Sequence, residues 1–183
     1  RTDRAALRTA LAAAGEGDAV LLHGCCHNPT GIDYTPEEWD EVVALLAASG
    51  VLPIVDLAYQ GLGKGWDEDA YGARLVADRL PEALIAYSCD KNFGLYRDRV
   101  GALYVLAAEA GDVAPIMSNG HALARANWSM PPDHGGAAVR LVLEDAALTA
   151  DWQAELASMR ERINQVRQRL AAAPPNVIES RIR

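Results

Sequence analysis

Lysine is almost absent from this sequence. Of the 183 residues, fifteen are arginine and only Lys64 and Lys91 are lysine. Acidic residues outnumber basic ones, and the formal net charge of −8 leaves no basic surface for nucleic acid or for an anionic membrane. Long apolar runs are absent as well, since none reaches the roughly 18 residues of a membrane-spanning helix. We therefore expect neither a nucleic-acid partner nor a membrane partner.

Cysteine is scarce too. The three cysteines include the adjacent pair Cys25 and Cys26, which matches neither a disulfide framework nor a CxxC metal site. This pattern predicts a reducing compartment, and we expect the cytoplasm. The chain opens at Arg1 without an initiator methionine and stops at Arg183, so we also expect it to be a piece of a longer protein.

Short apolar runs alternate with helical patterns along the chain. The runs cover residues 19–23, 51–56, 83–88 and 100–106, and helical patterns cover 67–80 and most of the chain after about residue 112. A further helix is predicted by Thr35 as N-cap, Pro36 at the first position, Glu38 in a capping box and Gly50 as the stop. The alternation predicts an α/β fold with a mostly parallel sheet and flanking helices.

One long amphipathic helix is predicted over 148–173. Its apolar residues recur at alternating spacings of four and three, and we expect this stripe to pack against a core rather than to form a coiled coil. The stripe consists of Trp152, Leu156, Met159, Ile163, Val166 and Leu170.

Polar residues follow the ends of three predicted strands, where ligands bind in open α/β sheets. These residues, which we expect to converge on one pocket, are Asn28, Asp56, Tyr59, Ser88 and Lys91. A lysine in a desolvated pocket can lose its proton and attack a carbonyl, which arginine cannot do. Lys91 is therefore a candidate for Schiff-base chemistry, the alternative being an ordinary surface cation in an arginine-biased chain.

The other polar residues suit an aldehyde cofactor with a pyridine ring. Asp56 could keep the ring nitrogen protonated, although an aspartate at a strand end is more often a cap or turn former. Tyr59 and the amide of Asn28 could donate to a phenolic oxygen. The Ser88 hydroxyl and the guanidinium of Arg99 could bind a phosphate, although such an arginine read alone is more often a surface charge.

Three segments in order resemble the aspartate and aromatic amino acid aminotransferases, which are fold-type I pyridoxal-phosphate enzymes. They are HGCCHNPTG at 23–31, DLAYQG at 56–61 and SCDKNFGLYRDR at 88–99. The resemblance implies that Lys91 forms the Schiff base with pyridoxal 5'-phosphate and shuttles the substrate's proton. It assigns Asp56 to the pyridinium nitrogen, with His23 behind it.

The resemblance also assigns residues to the rest of the cofactor and to the substrate. Asn28 and Tyr59 would bind the phenolate oxygen, and Ser88 and Arg99 the phosphate. Arg125 would reach into the other subunit of a homodimer and hold the distal carboxylate of a dicarboxylic substrate, unless it is a helix-surface arginine.

The implied function is transfer of an amino group between an aspartate-like or aromatic amino acid and a 2-oxo acid by ping-pong chemistry. An alternative is a truncated, non-catalytic homologue that keeps the cofactor-contacting residues, and a third is another pyridoxal-phosphate reaction. By resemblance, residues 1–147 form the C-terminal half of the large, cofactor-binding domain, and 148–183 form the interdomain helix and the start of the small domain. The substrate α-carboxylate site would then lie outside this chain, so we expect the isolated chain to be weakly active or inactive.

Overall fold

A computed structural model describes residues 2–173 of the chain as four strands and six helices. In chain order they are α1 (Arg4–Ala13), β1 (Ala19–His23), α2 (Pro36–Ser49), β2 (Leu52–Leu57), α3 (Tyr71–Arg79), β3 (Ala83–Ser88), β4 (Gly101–Leu106), α4 (Ala110–Trp128), α5 (His134–Glu144) and α6 (Ala146–Ala172). The predicted α/β class is confirmed, and each predicted strand lies within a residue of its observed bounds.

The four strands form one sheet in the order β1-β2-β3-β4. The pairs β1–β2 and β2–β3 are parallel, whereas β4 runs antiparallel to β3. Parallel neighbours need a crossover connection, which α2 and α3 supply. Residues 89–100 between β3 and β4 contain no helix, so the chain turns back on itself there. The sheet is mostly parallel, as predicted.

Helix α2 begins and ends where its sequence signals predict. The Thr35 side chain accepts a hydrogen bond from the Glu38 amide, and the Glu38 carboxylate accepts one from the Thr35 amide, at 3.2 and 2.9 Å. Gly50 ends the helix in the left-handed conformation with φ of 72°, which a residue with a Cβ adopts only at a cost. These caps orient α2 so that Trp39, Val42 and Leu46 enter the core.

Helix α3 begins later than predicted. The pattern indicated a helix from residue 67, but residues 67–70 form a turn and the helix starts at Tyr71. The cause is the buried Asp69 carboxylate, which accepts hydrogen bonds from the amides of Gly61, Gly63 and Lys64 at 2.8 to 2.9 Å. Asp69 thereby fixes the loop that follows β2.

The core lies between the sheet and helices α2 and α3. Its most deeply buried members are small and branched side chains, which suits the close approach of a helix to a parallel sheet. They include Val42, Leu46, Val55, Val76 and Ala83.

Helix α6 carries the predicted apolar stripe, but only two residues of that stripe are buried. It starts at Ala146 because the Asp145 carboxylate accepts hydrogen bonds from the Ala147 and Leu148 amides at 2.8 and 3.0 Å. Trp152 and Leu156 are buried, whereas Leu170 is 60% exposed. The expected packing is therefore confirmed for the start of the stripe and wrong for its end within the described part of the chain. The end of the predicted segment 148–183, from residue 174 onwards, lies outside that part.

No described helix combines the length and the apolar character needed to span a bilayer.

Two leucines on α6 provide a matched test of this packing. Leu156 is 1% exposed and Leu170 is 60% exposed. We expect Leu156→Ala to lower the free energy of unfolding by about 2–5 kcal/mol, because it leaves a cavity, and Leu170→Ala to change it by less than about 0.5 kcal/mol. Urea unfolding followed by circular dichroism measures both. Equal effects of the two substitutions would contradict the packing described above.

Candidate active site

The carboxyl ends of the parallel strands bring two of the predicted site residues side by side. His23, the last residue of β1, is the register partner of Asp56 on β2. The Gly24 amide donates to the Asp56 carbonyl at 2.7 Å, which extends the pairing one residue beyond the strand. Asp56 and His23 are both half-buried. The expected proximity of these two side chains follows from the parallel register alone.

Asn28 is tied to the end of β1 through the same histidine. The backbone N–H of Asn28 donates to His23 Nδ1 at 3.2 Å. The centroids of the His23 and His27 rings lie 4.5 Å apart. Because Nδ1 of His23 accepts this bond, the proton of a neutral His23 ring is on Nε2. The loop after β1 therefore returns to the strand end, where Asn28 is exposed.

Lys91 lies over the face of Tyr59. Its Nζ is 4.9 Å from the centroid of the Tyr59 ring, which is within the range of a cation–π contact. Lys91 is half-buried, whereas Lys64 is exposed. The structure thus brings Tyr59, which follows β2, together with Lys91, which follows β3.

Asn92 links the Lys91 loop to the loop after β2, and sequence reasoning did not identify it. Its side-chain amide donates to the Gln60 carbonyl at 3.2 Å and to the Tyr87 hydroxyl at 2.8 Å. Asn92 is only 1% exposed. The available signal was an asparagine directly after the candidate lysine. Its burial and its hydrogen-bond partners could not be read from the sequence.

Helix α6 covers this junction from the other side. Trp152 Nε1 donates to the Asn92 carbonyl at 2.8 Å, and the Trp152 indole stacks on Phe93 with centroids 4.2 Å apart. Arg160 also donates to the Gly61 carbonyl at 2.9 Å. The long helix therefore fixes both loops that carry Tyr59 and Lys91.

Ser88 and Arg99 lie at the two ends of the connection between β3 and β4. Ser88 is the last residue of β3, and Arg99 precedes β4 by two residues. Ser88 is the register partner of Gly101, and a Cβ added to Gly101 would lie 2.3 Å from the Tyr87 carbonyl oxygen. Only glycine permits this close pairing. Arg99 pairs with the buried Asp90 carboxylate and donates from the same Nη1 to the Tyr96 carbonyl at 3.1 Å.

Arg125 is placed apart from these residues. It lies in the last turn of α4, and its side chain is exposed. Within residues 2–173 its guanidinium makes no hydrogen bond and no ion pair. Its assignment to a substrate carboxylate stays a prediction.

Burial affects the titration of two groups near the lysine. It raises the pKa of Tyr87 to about 12, and burial followed by the nearby Asp90 carboxylate raises the pKa of Cys89. The hydrogen bond that the Cys25 thiol donates to Cys26, and then burial, raise the pKa of Cys25 well above the ordinary thiol range. Cys25 and Cys89 are therefore thiols at neutral pH, which makes both of them weak nucleophiles.

A cavity of about 690 Å³ borders the loops that carry Tyr59 and Lys91. Gln60, Tyr87, Cys89 and Phe93 are among the residues that line it. Its lining includes none of the predicted site residues themselves.

Comparison with known proteins identifies relatives over almost the whole chain. The family model described as "Aminotransferase class I and II" matches residues 1–174. An aspartate aminotransferase from Haemophilus influenzae is 53% identical over 86% of this chain and 40% of its own length. The chain thus spans about two fifths of the length of the curated relatives it matches.

Solved structures agree with this family. An aromatic amino acid aminotransferase determined with 3-indolebutyric acid is 48% identical with a TM-score of 0.89, over 93% of this chain and 43% of that one. An aromatic amino acid aminotransferase from Burkholderia pseudomallei, covalently bound to pyridoxal phosphate, is 40% identical with a TM-score of 0.84, over 87% and 40%. The resemblance identified from the three sequence segments is confirmed.

Because the pKa of Tyr87 is raised, the free energy of unfolding depends on pH in the alkaline range. A pKa raised from 10.0 to about 12 means that the folded state holds the proton more tightly than the unfolded state. The stabilisation is full below the ordinary pKa of about 10 and is lost as the pH rises towards 12. We expect Tyr87→Phe to remove the phenolate absorbance component that titrates near pH 12, with the exposed Tyr96→Phe as the control that keeps it.

Two asparagines allow a test of the loop junction. Asn92→Ala removes two buried hydrogen bonds and should lower the free energy of unfolding by about 1–3 kcal/mol. Asn127 is exposed and its side chain bonds only the Leu123 carbonyl of its own helix, so Asn127→Ala should cost much less. Chemical denaturation of both variants decides the matter, and a neutral Asn92→Ala would show that Asn92 does not hold the junction.

Proposed function

The chain belongs to the class I and II aminotransferase family, and on that premise we propose that it carries the cofactor-binding part of a pyridoxal-phosphate-dependent transaminase. The observation that supports this most is the half-buried Lys91, whose Nζ lies 4.9 Å from the Tyr59 ring beside the strand ends that hold Asp56 and His23. In the proposed reaction an amino group passes between an amino acid and a 2-oxo acid.

The donor set around Lys91 fits this cofactor. When bound, pyridoxal phosphate supplies an aldehyde carbon that bonds an amine and a ring that withdraws electrons from the substrate's α-carbon. The chain offers a half-buried amine for the aldehyde and a strand-end carboxylate for the ring nitrogen. It also offers a phenol and an asparagine amide for the phenolate oxygen, and a hydroxyl and a guanidinium for the phosphate.

Lys91 has two tasks in this proposal. Its amine would hold the cofactor, since an amine is the group that bonds to an aldehyde. With substrate bound, Lys91 Nζ would accept and return the proton of the substrate's α-carbon. The phenol face of Tyr59 and the junction held by Asn92 limit the positions that Nζ can adopt. Such positioning lowers the entropic cost of proton transfer.

Asp56 serves as the acceptor for a protonated ring nitrogen, and His23 stands next to it in the parallel register. A carboxylate at this place keeps the proton on the nitrogen by charge. Asn28 and Tyr59 donate hydrogen bonds to the phenolate oxygen, while the Ser88 hydroxyl and Arg99 bind the phosphate. These assignments are supported by the matching segments and by the closeness of their strand ends.

The proposed substrates are aspartate-like or aromatic amino acids with their 2-oxo acids. The matched relatives bear the names of aspartate and aromatic aminotransferases, which supports the catalytic hypothesis over the non-catalytic alternative. Arg125 remains the proposed ligand of a distal carboxylate, across a homodimer. We further propose the cytoplasm as the location. We also propose that residues 1–147 belong to the large domain and that residues 148–183 lead into the small domain.

Reductive labelling tests the role of Lys91. The purified chain is mixed with pyridoxal phosphate and reduced with borohydride, and peptide mass spectrometry locates the modified amine. We expect the label on Lys91, its loss in Lys91→Ala, and no change in Lys64→Ala. A label that persists in Lys91→Ala, or that is shared equally with Lys64, would show that the chain holds no such site.

A further inference from the structure

Asp90 contacts both of the side chains proposed to bind the cofactor phosphate. Its amide donates to Ser88 Oγ at 3.1 Å, and its carboxylate pairs with Arg99 through Oδ2. Asp90 directly precedes Lys91, and its side chain is only 3% exposed, whereas that of Arg99 is 74% exposed. The pair therefore consists of a buried anion and a cation that faces outwards.

These contacts leave the donors that a phosphate needs. Because Ser88 Oγ accepts from the Asp90 amide, its own hydroxyl proton is available to another acceptor. Both bonds of Arg99 use Nη1, so the edge formed by Nε and Nη2 is not engaged by Asp90. A guanidinium binds a phosphate with two parallel hydrogen bonds from such an edge. Asp90 thus orients Arg99 without occupying all of it.

The Asp90 carboxylate is itself incompletely satisfied. Among the described residues its buried Oδ1 has no hydrogen-bond partner, although buried carboxylate oxygens are normally paired. Its negative charge is therefore compensated mainly by Arg99. A phosphate dianion that binds Arg99 must share the same positive charge with Asp90, and the two anions repel each other.

We propose that Asp90 is a positioning residue that weakens the phosphate site: it orients Arg99, and its charge holds the affinity for a phosphate group below the value that Ser88 and Arg99 alone would give. This inference rests on the proposed function, in which Arg99 binds the cofactor phosphate. It assigns to Asp90 a role in setting how readily the cofactor leaves the site.

The test compares the binding of two ligands, with and without the negative charge of Asp90. Asp90→Asn keeps a carbonyl oxygen that can accept from Arg99 but removes the negative charge. We expect the dissociation constant for pyridoxal phosphate, measured by absorbance of the Lys91 adduct, to fall roughly tenfold. The dissociation constant for pyridoxal, which lacks the phosphate, should change less than twofold. Asp98→Asn is the matched control. Asp98 lies in the same loop as Asp90 but pairs with His134 of α5, so this substitution should alter neither dissociation constant.

Three results would overturn the proposal. These are unchanged or weaker pyridoxal-phosphate binding in Asp90→Asn, an equal gain for both ligands, or the same gain when Arg99→Gln is also present. An equal gain would show that Asp90 acts on Lys91 or on the fold rather than on the phosphate.

A second measurement separates this proposal from the assignment of Lys91. If no variant forms an adduct at Lys91, the proposed function fails, and inorganic phosphate then replaces the cofactor as the probe. The thermal stabilisation that phosphate gives should be larger in Asp90→Asn than in the unchanged chain and should vanish in Arg99→Gln. Equal stabilisation of Asp90→Asn and the unchanged chain would reject the role of Asp90.

Discussion

The hydrogen bonds of Asn92 are the interaction on which the arrangement of the site depends. Its side-chain amide donates to the Gln60 carbonyl and to the Tyr87 hydroxyl, and its backbone carbonyl accepts a hydrogen bond from Trp152 Nε1. Three separate parts of the chain meet there: the loop after β2, the end of β3 and the long helix α6. Since these groups are buried, a lost bond costs more than the same bond would at the surface. The position of Lys91 over Tyr59 follows from this junction.

The sheet contributes the second constraint. Parallel pairing of β1, β2 and β3 places their carboxyl ends at one edge, where polar side chains can gather with little reorganisation. The antiparallel β4 then pairs back onto β3 with Gly101 opposite Ser88, so Arg99, two residues before Gly101, lies near the carboxyl end of β3. A fully parallel continuation would have sent the chain away from that edge. The combination of both pairings places residues 23, 56, 88 and 99 at or next to strand ends, as the proposed site requires.

The sequence predicts this site as far as strand ends and turn signals determine it. The apolar runs and the capping residues of α2 locate the strands and that helix within one or two positions, because those signals are local. The contacts of Asn92 and Asp90 could not be predicted, since each depends on how two distant loops meet. The predicted start of α3 was wrong because the Asp69 carboxylate accepts from amides of the loop after β2, and Asp69 lies in a turn before the helix. The stripe on α6 indicated an apolar face but not how much of that face is covered.

The connection between β3 and β4 has a consequence for how the chain folds. Closing a loop costs conformational entropy that grows with the logarithm of its length, by about 0.6 kcal/mol for each doubling. Residues 89–100 form a loop about half as long as the segment between β2 and β3, so its closure is the less costly of the two. It holds Asp90, Lys91 and Arg99, and it is closed by pairing between strands that are neighbours in sequence. The amine and the phosphate ligands of the proposed site thus belong to a single local unit of low contact order.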